Sequence, residues 1–519
     1  MKKIIIKMAA ACMLITGLGS CTSDYDNINT DPTAFTTLTN NDYAGLWWNG
    51  AIWLYRGCDY QISQGLYSDL YAQYFANTTT YFNTDRYHFR TEWAESLWKG
   101  YAGVMTAIPS LKTIMAKFDE NTAEHAMALV CYVYGMLHLT DDFGPIPYEG
   151  AGEGEIVPYN DVKTVYHDML SDLEKAATAF ASASSNKFAA KDPFYKGDNQ
   201  KWKKFTNTLR MRLAMRLADK EPDFAKQQFE AAYQAGGIDS NDDNMVFQSQ
   251  NKGSFFNYLA RDAQWNEFAM SSTIYSYLKG WNDPRLPLYF QPAAKSGKFA
   301  SLRNGLPTVD VANDRNKPSS NSNIGPHWIA YDGMSPVAHL DASQTIAHAC
   351  ETYFLRAEAA LRGWNAGGTA KDLYNKGITL SLKEWNVPEE QINSYITGTT
   401  DPAAPEDYSN SPAVAKGICV KYDAAASKEH QLQQIITQKW LGIFPDSFEA
   451  WAEIRRTGYP TLYPVVESED SDLPVGSFIQ RMKYPDALKI SDATNVENAL
   501  KLLDTSGKDS QATKLYWAK

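Results

Sequence analysis

Paired amphipathic helices recur along this chain, and they constrain its fold more than any other feature. Apolar residues follow helical spacing in each segment, as Val165, Met169 and Leu173 do after a predicted helix start at Asn160-Asp161. The predicted helices cover residues 93–118, 126–140, 160–180, 202–218, 223–235, 346–364, 369–385, 429–443 and 448–456. Helix–turn–helix units of roughly 35 to 40 residues are typical of tetratricopeptide-like scaffolds. We therefore predict an all-α, tetratricopeptide-like helical-pair scaffold, with an ordinary helical bundle as the alternative.

Long polar loops separate these helical pairs. The longest covers residues 281–344, is rich in Pro, Asn, Ser and Gly, and shows little periodicity; two others cover 397–416 and 458–482. Loops of this length in a compact protein are usually functional or disordered. Because helical pairs occur on both sides of the loops, we predict one domain over residues 38–519, with a long loop insertion at about 281–344.

The N-terminus has the pattern of an exported protein. Three lysines precede an apolar run, Met8–Leu18, which is shorter than the roughly 20 residues that a membrane-spanning helix needs. The run ends in Leu18-Gly19-Ser20-Cys21, which resembles a bacterial lipobox and implies cleavage before Cys21 and acylation of that residue. A plain signal peptide is the alternative. We predict a lipoprotein signal peptide at 1–20 and a lipidated flexible tether at 21–37, whose acidic start resembles a surface-export signal.

Charge and motif content exclude several functional classes. The net charge is −11 with no basic block, which argues against nucleic-acid binding, and the mean hydropathy of −0.42 argues against a protein with several membrane spans. The sequence has no zinc-protease, Walker A or nucleophile-elbow motif and no Cys-x-x-Cys pair. We predict no catalytic residue, metal or cofactor. Beyond the leader and Cys21 we expect buried free thiols at Cys58, Cys131, Cys350 and Cys419, with one disulfide bridge among them as the alternative.

Aromatic residues are concentrated early in the chain, where 17 of the 59 residues from Tyr43 to Tyr101 are Phe, Trp or Tyr. Sugar rings have apolar C–H faces and polar edges, so flat aromatic rings bordered by amides and charges suit them. The predicted ligand contacts of this segment are Trp47, Trp48, Tyr74, Asn77, Tyr81, Phe82, Asn83, Asp85 and Tyr87. The alternative is that most of these rings fill the core between helices.

A second group of candidate ligand contacts lies in the long insertion. It consists of Arg303, Asn313 and Trp328, with the neighbouring Asn304, Asp314 and Asn316. These residues combine a guanidinium, several amides and an aromatic ring, which is the mixture expected at a glycan site. A solvated loop or a surface facing a partner protein is the alternative.

Five short motifs, spread over nearly the whole chain, resemble one family. They are the lipobox Leu18–Cys21 with its acidic follow-on, Asp142–Tyr148 (DFGPIPY), Trp281–Leu286 (WNDPRL), Leu355–Ala359 (LRAEA), and the closing-helix residues Gln438–Leu441, Phe448–Trp451 and Arg455-Arg456. In order and spacing they resemble the SusD/RagB nutrient-binding outer-membrane lipoproteins of Bacteroidota. The closing helices carry Trp440 and Trp451 and depart from the commoner family form, Glu-Arg-x-x-Glu-Leu. This departure is typical of a divergent SusD-like branch.

The resemblance implies a function as well as a fold. It implies a non-catalytic lipoprotein, anchored in the outer membrane and facing the exterior, that binds a glycan or other nutrient oligomer. It further implies a SusC-like TonB-dependent transporter as the partner that receives this ligand. Two alternatives from other classes are a surface-anchored hydrolase of the same polymer and a helical scaffold that binds only peptide or protein.

Overall fold

A computed structural model describes residues 38–56, 60–101, 107–153, 157–253 and 255–519. Two units are distinguished, Met1–Tyr43 and Ala44–Lys519. In the first, Thr39 and Asp42 exchange hydrogen bonds between side chain and backbone at the start of a helix. The predicted signal peptide, Cys21 and the tether lie outside the described residues. The second unit contains the helical body.

Helices dominate the described residues, and the longer ones are numbered here in chain order. They are α1 (Asn40–Arg56), α2 (Thr91–Tyr101), α3 (Ala107–Lys117), α4 (Ala123–Phe143), α5 (Val162–Ser182), α6 (Asn199–Arg216), α7 (Pro222–Ala235), α8 (Ser272–Gly280), α9 (Ala349–Leu361), α10 (Ala370–Glu384), α11 (Glu389–Ile396), α12 (Lys428–Gly442), α13 (Ser447–Thr457) and α14 (Ala493–Leu503). A π-helix covers Gln61–Ser68, and shorter α-helical turns cover Asp69–Tyr71, Tyr258–Ala263, Leu286–Tyr289, Thr308–Val311 and Asp486–Ser491.

The predicted helical pairs are present, and neighbours in sequence pack together. Helix α4 packs on α5, α5 on α6 and α6 on α7, while α9 packs on α10 and both contact α12. The predicted start of α5 is confirmed, because the Asp161 side chain accepts a hydrogen bond from the Thr164 backbone N–H. The predicted helix over 93–118 corresponds to α2 and α3, with residues 102–106 between them outside the described set. The all-α fold class is confirmed.

Short strands join segments that lie far apart in the sequence, or form a hairpin. The strands are β1 (Phe75–Asn77), β2 (Met245–Phe247), β3 (Phe268–Met270), β4 (Ile329–Asp332), β5 (Ser335–Ala338) and β6 (Gln344–Ala347). They form three antiparallel pairs, β1 with β3, β2 with β6, and β4 with β5. The predicted loop 281–344 therefore contains a hairpin, two α-helical turns and a 3-10 turn at Pro318–Ser320. Runs of three or four residues are too short for periodicity to reveal.

A group of buried charges, here called the charge cluster, ties four helices together. Its members are Arg212 and Arg216 on α6, Glu351 and Glu358 on α9, Lys439 on α12, and Glu449, Glu453 and Arg456 on α13. Arg212 forms a bidentate pair with Glu351 at 2.6 and 2.7 Å. Arg216 donates to Glu453 at 2.5 Å and to Glu449 at 2.6 Å. Each buried charge thus has an opposite charge as its hydrogen-bond partner, which burial requires.

Two of the sequence motifs acquire structural roles in this interior. In the LRAEA motif, Glu358 is buried and accepts from Arg456 at 2.6 and 2.8 Å, which joins α9 to α13. In the DFGPIPY motif, Gly144 ends α4 with a φ of +102°, a backbone conformation that glycine tolerates. A β-carbon on Gly144 would also lie 2.9 Å from a methyl group of Leu503. Both motifs are therefore fold markers.

The charge cluster makes stability sensitive to acid. Burial alone would raise the pKa of Glu449, but Arg216, Lys439 and Arg212 hold it at about 2, against an ordinary value of 4.5. A carboxyl group whose pKa is lower in the folded state than in the unfolded state contributes its full stabilisation above about pH 4.5. This stabilisation is lost as the pH falls toward 2. We expect urea midpoints to fall as the pH drops below about 4.5, and less steeply in Glu449→Gln. A midpoint that stays constant from about pH 4.5 to 3 would contradict this.

Candidate functional site

The loop between β1 and α2 carries an exposed aromatic ring. Tyr81 is 72% exposed, the highest value of any aromatic side chain among the large exposed hydrophobic residues described. The Arg90 guanidinium lies over this ring, 5.3 Å from its centroid, and 4.7 Å from the Trp93 centroid. Arg90 is held in place because Nη2 donates to the Tyr81 carbonyl at 3.0 Å and to Asn83 Oδ1 at 2.9 Å. Phe82 is half-buried and packs edge-on against Tyr81, with centroids 5.1 Å apart.

These side chains form a surface that we call the Tyr81 platform: Tyr81, Phe82, Asn83, Arg90 and Trp93. Its polar border is fixed by hydrogen bonds to one carboxylate of another loop, that of Glu469. Asn83 Nδ2 donates to one oxygen of Glu469 at 2.9 Å, and Arg86 Nε donates to the other at 2.6 Å. A rigid ring beside oriented donors and acceptors can stack on an apolar ring face and hydrogen-bond to its polar edge.

Asn77 and Asp85 are buried residues that support this loop. Asn77 Nδ2 donates to the carbonyls of Thr79 and Phe82, both at 2.7 Å. Asp85 is buried and accepts from Asn304 Nδ2 at 2.9 Å, and burial raises the pKa of its carboxyl group to about 6. Both residues are predicted ligand contacts, but the polar atoms of Asn77 bond within the loop, and Asp85 bonds to the Asn77 backbone and to Asn304 of the long insertion. Their observed role is to fix the shape of the platform.

Several of the predicted aromatic contacts lie in the core. Trp47 has no exposed surface and packs between Phe188 and Trp202, each with centroids 6.1 Å away. Tyr74 is fully buried and donates its hydroxyl to the Trp440 carbonyl at 2.5 Å. A ring enclosed in this way presents no face to a ligand, so the structure favours core packing over the predicted ligand contact at both positions.

Tyr87 and Trp48 also contact other rings. Tyr87 is 3% exposed and packs against Tyr71, with centroids 5.9 Å apart. Trp48 is half-buried and stacks on Phe247 at 6.2 Å, with an interplanar angle of 21°. Core packing is thus the observed role of Tyr87, whereas Trp48 is only partly enclosed.

The candidates of the long insertion do not form one site. The Arg303 guanidinium lies 4.4 Å from the centroid of the Tyr463 ring and donates to Ser411 and to the Pro464 carbonyl, so it joins loops. Asn313 Oδ1 accepts from the Arg315 backbone N–H within its own turn. Trp328 is 3% exposed and lies apart from both, in the wall of a cavity.

That cavity, here called the tryptophan cavity, has a volume of about 330 Å³. Two rings of its wall, Trp328 and Trp385, have centroids 5.4 Å apart at an angle of 44°, and the His327 ring is nearly perpendicular to both. The wall also includes His348 and Glu384. The sequence predicts only Trp328 of this set. Trp385 continues the apolar stripe of α10, so the pattern indicates a core residue there.

Among the described residues, no group of three or more His, Cys, Asp or Glu side chains is arranged to hold a metal ion. Within the same residues, no helix combines the length and the apolar character needed to cross a membrane. Cys131 and Cys350 are buried free thiols, and Cys419 is a half-buried one.

Comparison with known proteins identifies the family. Residues 34–518 match the SusD-like family, described as Susd and RagB outer membrane lipoprotein, and the chain belongs to that family. The predicted resemblance is thereby confirmed, together with the helical fold. A search of curated proteins finds no match.

Solved structures of family members resemble this chain over almost its whole length. A chitin-binding SusD homolog from Flavobacterium johnsoniae is 29% identical, with a TM-score of 0.82 over 92% of this chain and 98% of that one. A SusD-like protein from Bacteroides thetaiotaomicron is 30% identical, with a TM-score of 0.78 over 92% and 99%. A SusD homolog from Bacteroides ovatus is 26% identical, with a TM-score of 0.81 over 92% and 99%.

Proposed function

We propose that this protein is a non-catalytic, surface-anchored lipoprotein that binds a glycan and delivers it to a SusC-like TonB-dependent transporter of the outer membrane. The observation that carries the proposal is the Tyr81 platform, an exposed ring on a fixed guanidinium in a member of an outer-membrane lipoprotein family. A stacking surface with a polar border suits sugar rings.

The nature of a relative's ligand suggests which glycan to test first. The homolog from Flavobacterium johnsoniae binds chitin, so oligomers of N-acetylglucosamine are the first candidates. The acetamido groups of such oligomers can accept from donors such as Arg90, while their pyranose faces stack on Tyr81. We propose no catalytic residue at the platform, whose role is to bind the chain along its length.

The predicted tether fits a delivery role. Acylation of Cys21 would hold the protein on the membrane, facing the exterior, and the predicted tether from Cys21 to residue 37 would leave the binding body mobile above it. A flexible segment of this length has a root-mean-square span of about 23 Å. Confinement within such a distance of the transporter raises the effective concentration of bound ligand, so modest affinity is sufficient.

Removal of the Tyr81 ring tests the proposal. We expect Tyr81→Ala to weaken glycan binding by about tenfold, since an aromatic contact contributes roughly 0.5–1.5 kcal/mol beyond its buried area. The measurement is calorimetric titration of the mature protein with oligosaccharides. These are oligomers of N-acetylglucosamine and the oligosaccharides obtained from cellulose, starch and mannan. Tyr81→Phe should keep most of the affinity. Met334→Ala, which removes another exposed side chain in the β4–β5 turn, should leave the affinity unchanged.

Other outcomes would favour the alternatives. Cleavage products in the same incubations would indicate a hydrolase and overturn the non-catalytic proposal. Absence of binding to every glycan, combined with co-purification of a transporter, would indicate a scaffold that binds only protein. Equal affinities of Tyr81→Ala and the unaltered protein would remove the platform from the site.

A further inference from the structure

The residues that line the tryptophan cavity range from exposed or half-buried to fully buried. Trp385 and Asn386 lie at its mouth, where Trp385 is half-buried and Asn386 exposed. Trp328 and His348 lie deeper, with exposures of 3% and 2%. A pocket that is open on one side and closed by buried rings on the other accepts the end of a molecule. The platform differs in this respect, because an exposed surface lets a chain continue in both directions.

The polar wall of the cavity is built around one carboxylate. Glu384 accepts from His348 Nδ1 at 3.0 and 3.1 Å and from Thr345 Oγ1 at 2.9 Å. Because a carboxylate only accepts, Nδ1 carries the hydrogen in this pair. The other ring nitrogen, His348 Nε2, is buried without a hydrogen-bond partner. Buried polar groups nearly always have hydrogen-bond partners. A hydroxyl group of a bound ligand would be a partner for this nitrogen.

Charges around the cavity are already balanced. The pKa of His348 lies above its ordinary value: burial lowers it, but the carboxylate of Glu384 outweighs that effect and favours the protonated ring as its partner. The carboxylate of Asp446 is paired with Arg212, whose Nη2 lies 3.6 Å from Asp446 Oδ2. Burial lowers the pKa of His138 to about 3, which keeps that ring neutral. A cavity with paired charges, oriented polar atoms and aromatic walls suits a neutral polyol better than an ion.

We propose that the tryptophan cavity is a second saccharide site, separate from the Tyr81 platform, which takes the terminal residue of a glycan. The sugar face stacks on Trp385, and its hydroxyl groups hydrogen-bond to the His348–Glu384 pair and to Asn386. The volume of about 330 Å³ lies at the lower end of the range for ligand pockets, roughly 300–1,000 Å³, and suits one or two sugar residues. This inference rests on the proposed glycan-binding function.

Fluorine NMR of the mature protein labelled with 5-fluorotryptophan tests the cavity directly. The chain has 14 tryptophans, and the signals of Trp328 and Trp385 are assigned by their absence in Trp328→Phe and Trp385→Phe. The probes are the disaccharide of N-acetylglucosamine and the disaccharide fragments of cellulose, starch and mannan. We expect one of them to shift both signals saturably, in the unaltered protein and in Tyr81→Ala alike. Asn386→Gly, which keeps the left-handed backbone and removes the amide, should weaken this binding about tenfold.

The outcomes separate this inference from the proposed function. One outcome is that a longer oligosaccharide binds in a Tyr81-dependent manner while no saccharide shifts the two tryptophan signals. This would overturn the proposed cavity site but not the proposed function. Binding of no saccharide by either method would overturn both. His348→Gln is a second test of the polar wall, with its fold checked by thermal unfolding. Unchanged affinity in both His348→Gln and Asn386→Gly would also overturn the assigned contacts.

Discussion

Replacement of Glu453 by leucine is expected to lower the free energy of unfolding by about 3–5 kcal/mol, the range measured when one partner of a buried ion pair is removed. Glu453 is 3% exposed and accepts from both Arg216 and Arg456, with Lys439 Nζ 3.6 Å away. Its removal leaves these cations short of negative charge in a place that water does not reach. The loss therefore includes the cost of buried charge as well as the lost hydrogen bonds.

Urea unfolding at neutral pH, followed by circular dichroism, measures this effect. Glu497→Leu is the matched control, because Glu497 forms an exposed pair with Lys501 on α14, and such pairs contribute only about 0.3–0.5 kcal/mol. The Glu453 and Glu497 variants remove the same charge and differ in burial. A loss below about 1 kcal/mol for Glu453→Leu would mean that the charge cluster does not hold the helices together as described.

Local signals predicted most of the helical fold. Helix starts at Asp161 and Thr369 follow from side chains that cap backbone N–H groups, and the structure shows these caps with α5 and α10. Such signals lie within a few residues of the feature they predict. The pairing of Glu453 with Arg216 spans 237 residues, and nothing in either neighbourhood specifies it. Long-range charge pairing therefore had to come from the structure.

The candidate site was predicted less completely than the fold, for a physical reason. Trp47 and Tyr81 lie in the same aromatic segment, yet one is fully buried and the other 72% exposed. Residue type is similar in the two places, and only tertiary packing separates a core ring from a ligand surface. Arg90, which supports Tyr81, lies nine residues further along the chain, beyond a 3-10 turn at Thr84–Arg86.

The second large effect is expected at the Asp-Pro-Arg motif, where Arg285→Met should also lower the free energy of unfolding by about 3–5 kcal/mol. Arg285 and Asp283 have no exposed side-chain surface, and Arg285 donates to Asp283 at 2.6 and 2.9 Å. Arg285 also donates to Tyr395 and Gln438, each at 3.0 Å, which links the insertion to α11 and α12. Methionine fills similar space but leaves the Asp283 carboxylate buried without its cation.

A double variant separates the buried charge from the lost packing. If the unpaired carboxylate causes most of the loss in Arg285→Met, then Asp283→Asn in the same chain should recover part of it, since the amide carries no charge. Lys383→Met is the matched control, because Lys383 pairs with Glu389 at an exposed position and its loss should cost less than about 1 kcal/mol. An Arg285→Met variant as stable as Lys383→Met would show that the motif does not stabilise the fold. No recovery in the double variant would assign the loss to the contacts with Tyr395 and Gln438.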